Sequence, residues 1–100
     1  MQLAATTDAV HLDHTELEAA ARKWATRARA LVNKAVCDDQ ENARAVVAVQ
    51  LDSAATFLGR GDTDKARDAL QAAASYAGSE DAMAPQLAKA TRELLDALPA

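Results

Sequence analysis

Leu17, Trp24 and Leu31 recur every seven residues, and Ala21, Ala28 and Ala35 fall between them. Alternating steps of four and three residues draw one narrow apolar stripe along an α-helix, whereas a strand would need a period of two. Small residues on every second layer let a neighbouring helix come close, so the pattern specifies helix-on-helix packing. Trp24 is expected to fill the space those alanines leave, as a core anchor. Composition points the same way: 27 of the 100 residues are alanine, 11 leucine and 6 valine, with no isoleucine and one each of Phe, Trp and Tyr. Alanine is the best helix former, and the residues that favour strands are scarce, which excludes sandwiches, barrels and doubly wound sheets. One hundred residues suffice for a single compact domain. The expected fold is all-α: a small antiparallel bundle of about four helices.

The first helix is expected from about Glu16 to Val36, opened by the capping-box spacing Thr15-x-x-Glu18. Asp38, Asp39 and Glu41 place negative charge at the start of a second helix, whose stripe is Ala43, Val47, Leu51, Ala54 and Leu58, with Val46 and Phe57 at its edges. Gly59 or Gly61 ends it. Asp62 or Thr63 caps a third helix carrying Ala66, Leu70, Ala73 and Ala77, ending at Gly78. After a connector, Pro85 opens a fourth helix with Leu87, Thr91, Leu94 and Leu98. The short connectors make sequential helices antiparallel neighbours within one domain over 15–98. Residues 1–14 form either a short helix from Thr7-Asp8 or a segment lying along the bundle.

Charge and cysteine content bound the function. The net charge of −4 disfavours nucleic acid as a partner, since that calls for a basic face. No stretch reaches the length of a membrane span, and the N-terminus lacks a secretory leader pattern. The single Cys37 cannot form an internal disulfide, and a cytoplasmic protein is expected. No nucleophile–base set or glycine-rich phosphate loop is present in the sequence, so an enzyme is not expected, nor a cofactor. Large apolar side chains are few for such a core, and a homodimer burying a second Leu/Ala stripe would add to it.

Two clusters invite chemistry. Asp8, His11, His14 and Glu18 would share a face if one helix ran through them, offering imidazoles and carboxylates to Zn²⁺. The capping box at Thr15 interrupts that helix, so no metal is expected. Arg22, Lys23, Arg27, Arg29 and Lys34 put five positive charges on the first helix, with no acidic residue from Ala19 through Cys37. Residues 51–100, by contrast, carry five basic against eight acidic groups. At 100° per residue Lys23, Arg27 and Lys34 cluster beside Trp24, while Arg22 and Arg29 fall on the far side. Such a flank suits an acidic protein partner or, as the alternative, nucleic-acid phosphates. Arg60-Gly61-Asp62 reads as a turn followed by a helix cap.

Residues 54–78, AATFLGRGDTDKARDALQAAASYAG, place Ala54, Phe57, Gly61, Ala66, Leu70 and Ala73 at the intervals of a tetratricopeptide repeat, and the segment resembles one such helical hairpin. Gln50 and Ser53 stand where that family usually has Trp and Leu, and Gly78 where it has Pro. The resemblance implies an adaptor that holds a partner protein along an inner face of Ala48, Leu51, Ala55 and Leu58, with residues 79–98 as the terminal solvating helix. The function expected is therefore a small cytoplasmic protein–protein interaction module: an adaptor, antagonist or assembly factor. A nucleic-acid-associated regulator is the alternative, and a small metal- or ligand-binding bundle a third. Arg22, Lys23, Arg27 and Lys34, with Leu51 and Leu58, are the candidate partner-contacting residues.

Overall fold

Four helices in up-and-down order make up the computed structural model, which describes residues 13–79 and 82–99: α1 (His14–Val32), α2 (Asp38–Gly59), α3 (Thr63–Ala77) and α4 (Pro85–Ala97). Each helix packs on the next, and α4 returns to touch α1, so the four close into a ring around one core. The all-α antiparallel bundle expected from the stripes is the observed fold.

α1 begins earlier than Thr15 implies. Asp13 is its N-cap: the Asp13 carboxylate accepts the Glu16 N–H at 2.8 Å, and the Glu16 carboxylate accepts the Asp13 N–H at 3.3 Å. Asp13-x-x-Glu16 has the same spacing as Thr15-x-x-Glu18, and an aspartate is the stronger cap. The earlier start puts His14 inside the helix and frees Glu18 to pair with Arg22. α1 also stops at Val32, four residues short of Val36, which lies 82% exposed in the connector. The segment before Asp13, including His11, lies outside the described residues.

The buried face of α1 is Leu17, Ala21, Ala25 and Ala28. Trp24 and Leu31 are half-buried at the edge of the core, which corrects the expectation of a central tryptophan. Three consecutive layers of that face are alanine, and Trp24 and Leu31 pack against the core from beside it. Because α2 lies between α1 and α3, it buries two flanks, including Val47, Ala48, Leu51, Ala54, Ala55 and Leu58. The α2–α3 turn is tight. Gly61 takes a φ of 76°, open to glycine at little cost, and the Asp62 carboxylate accepts the Lys65 N–H to cap α3. On α4 the fully buried Thr91 satisfies its hydroxyl on the Leu87 and Ala88 carbonyls, both at 3.0 Å.

Candidate functional site

The five basic residues of the first helix and its end divide into two groups. Arg22 bonds Glu18 one turn back at 3.2 Å, and Arg29 pairs across the helix interface with Asp52 of α2. Both are thereby explained as local structure. Lys23, Arg27 and Lys34 are exposed, and among the described residues none of them forms an ion pair.

Of these, Arg27 lies at the edge of the core where Trp24 emerges, while Lys23 directly precedes Trp24 in sequence and Lys34 falls beyond the end of α1. The Arg27 guanidinium carbon sits 4.6 Å from the centroid of the Trp24 ring, a cation–π stack between residues three apart on the helix. Trp24, Arg27, Ala30 and Leu31 from α1 and Gln86 from α4 line a shallow groove of about 250 Å³. Its floor is apolar, one wall carries the Arg27 guanidinium, and among the described residues no acidic side chain lines it. The groove exists because the buried face leaves Trp24 and Leu31 at its edge and because α4 starts with Pro85-Gln86 beside them.

Leu51 and Leu58 do not belong to any surface. They are 0% and 1% exposed, and Ala48 and Ala55 beside them are buried as well. The apolar face that the repeat resemblance assigns to a ligand is filled by the bundle's own core, which corrects both residues from partner contacts to packing. Arg60-Gly61-Asp62 forms the α2–α3 turn and the α3 cap.

Two polar residues of α2 have a role that the stripe analysis missed. Arg44 is 8% exposed and donates to three backbone carbonyls: Leu31 at 2.8 Å, Ala82 at 2.8 Å and Met83 at 3.4 Å. Leu31 belongs to the last turn of α1, whose free carbonyls carry the negative end of the helix dipole, so a cation complements it. One turn earlier Gln40 accepts the Val36 N–H at 3.1 Å and donates to the Met83 sulfur at 3.1 Å. Together they fasten the α1–α2 connector to the α3–α4 connector. A signal existed: counting back from Leu58 through Ala54, Leu51 and Val47 in steps of four and three lands on Arg44 and then Gln40.

Val36, Tyr76 and Met83 are all exposed at this connector end, and Met83 has a φ of 47°, a backbone region that glycine favours. A hollow of about 620 Å³ beside them is lined by small residues such as Ala77, Ala84 and Ala88, with Arg92 its one cation among the described residues. Cys37 is also here and exposed, while His14 lies at the far end of α1, roughly 28 Å away at 1.5 Å per residue, so they cannot act as a pair. His14 Nε2 instead meets the Thr63 hydroxyl at 3.2 Å. Among the described residues no group of three or more His, Cys, Asp or Glu side chains could hold a metal ion. No described helix is long and apolar enough to cross a membrane.

Comparison with known proteins finds no matching family model, no matching curated protein and no matching solved structure.

Proposed function

We propose that the chain is a protein-docking module whose contact surface is the edge of α1 around Trp24. The observation that carries this reading is the stacked Trp24–Arg27 pair, half-open to solvent, on a helix that also carries the exposed Lys23 and is followed by the exposed Lys34. Tryptophan and arginine are the residues that most often dominate the energetics of protein contacts, because each joins apolar area to directional polar bonding. The flanking charges add long-range attraction for an acidic partner and act mainly on the association rate. The module then works as an adaptor, antagonist or assembly factor without chemistry of its own. An exposed free thiol at Cys37 supports a reducing compartment, the cytoplasm.

Reversing Lys23→Glu, Arg27→Glu and Lys34→Glu together tests the reading. All three side chains are exposed, so the thermal melt should hold within the few tenths of a kcal/mol usual for surface substitutions. Capture of partner proteins from the native host should fall sharply. Equal capture by the folded triple variant would remove the flank from consideration. Contact with nucleic-acid phosphates instead predicts a steep loss of binding between low and moderate salt.

A further inference from the structure

The groove beside Trp24 specifies more than a charged surface. Its volume, about 250 Å³, falls below the roughly 300–1,000 Å³ of small-molecule sites and suits a single large side chain. Its lining offers apolar surface on Trp24, Ala30 and Leu31, one guanidinium on Arg27, and the neutral amide of Gln86. A purely ionic ligand would leave the apolar floor wet, and a purely apolar one would leave the Arg27 guanidinium without an anionic partner. We propose that the groove seats an acidic segment of a partner protein through one large apolar anchor, packed against Trp24 and Leu31, with carboxylates beside the anchor pairing to Arg27, Lys23 and Lys34. The proposal rests on the reading of the α1 flank as a docking surface. It adds the anchor as a requirement and α4 as the second wall.

Random twelve-residue peptides displayed on phage and selected on the immobilised full chain supply the probe, and calorimetry on a selected peptide supplies the numbers. The selected peptides should carry net negative charge and a recurring Phe, Trp or Leu. Replacing that residue by Ser should weaken binding by about tenfold or more. Gln86→Glu should weaken it several-fold by placing a carboxylate against the ligand's own. The variant stays folded, because a carboxylate in the first turn of α4 favours the helix dipole. Acidic peptides without a recurring apolar residue, or binding indifferent to Gln86→Glu, would overturn the proposal and leave the flank reading standing. Peptides that still bind the Lys23→Glu/Arg27→Glu/Lys34→Glu variant, or no enrichment at all, would remove both. Sedimentation showing a dimer that Gln86→Glu disperses would give the groove to a second copy of the chain and likewise overturn it.

Discussion

The two ends of the bundle are built by different means. At one end Asp13 caps α1, Asp62 caps α3, and the α2–α3 turn closes over three residues through Gly61. There Gly59 leaves room for the Glu18 carboxylate, since a Cβ would meet it at 3.2 Å, and His14 reaches Thr63. At the other end neither Cys37 nor Ala84 supplies a side-chain cap, and the connectors are longer. Order comes instead from long-range side chains of α2, Gln40 and Arg44, holding backbone of both connectors. The first end has side-chain caps on two helices and one long-range hydrogen bond, His14 to Thr63, 49 positions apart. The second has no such caps and is held by contacts separated by up to 43 positions. Local caps tolerate little variation in shape, whereas a cross-chain clasp permits irregular backbone and exposed apolar groups such as Val36 and Met83.

That contrast makes Arg44 the residue whose loss should do the most damage. Arg44→Ala removes three donors from backbone carbonyls, that of Ala82 at a buried bond and those of Leu31 and Met83 at part-buried ones. Unmet buried polar groups cost about 1–3 kcal/mol each, and partial rehydration keeps the sum near 3 kcal/mol. Against a typical stability of about 5–15 kcal/mol, urea unfolding should show a clear fall in midpoint. Arg44→Lys should recover only part of it, since an ammonium lacks the planar fork that spans separated acceptors. An unchanged midpoint in Arg44→Ala would mean that the connectors hold themselves, and the two ends would not differ in kind.

How much of each end was legible follows from the range of its interactions. The stripes on α2, α3 and α4, Pro85 at the start of α4 and the cap at Asp62 all depend on residues a few positions apart, and sequence spacing records them. The choice between Asp13 and Thr15 as the cap of α1 was not legible by spacing alone, since both offer the same box. Trp24 was misplaced for a different reason. The stripe centres on Trp24, whereas the buried face centres on Ala21, Ala25 and Ala28 and leaves Trp24 at its edge. Leu51 and Leu58 were assigned to a ligand through the repeat resemblance, although their stripe positions already marked them as core. The helical angle that groups Lys23, Arg27 and Lys34 applies only to the first two, since the helix ends at Val32 and Lys34 falls in the turn beyond it. The second wall of the groove, Gln86, required knowing that α4 returns to α1.

Glycine placement gives a matched test of the same contrast. Gly61 and Met83 both have positive φ, 76° and 47°, but only the capped end has glycine there. A non-glycine residue in that region costs roughly 1–2 kcal/mol. Gly61→Ala should therefore lower stability by about 1 kcal/mol even though its Cβ would meet nothing within 4 Å. Met83→Gly should raise stability by up to about 1 kcal/mol, less what the Gln40 contact with its sulfur contributes. Differential scanning calorimetry on the pair resolves both signs. A loss on Met83→Gly would show that the side chain's contacts outweigh the backbone strain.

The smallest expected effects decide which box caps α1. Asp13→Ala deletes the acceptor for the Glu16 N–H and should cost about 1 kcal/mol, within the usual range for loss of an N-cap. Thr15→Ala should change stability by only a few tenths of a kcal/mol, because Thr15 is exposed within the first turn and no hydrogen bond of its side chain is found among the described residues. Both residues are exposed and lie at the cap or within the first turn, so nonspecific effects of removing a small polar group should largely cancel in the comparison. If Thr15→Ala proves the costlier change, α1 begins after Thr15, Glu18 is recruited back to the cap, and its bond to Arg22 is released. Arg22 would then join the unpaired cations of α1, and the division between its tethered and free charges would have to be redrawn.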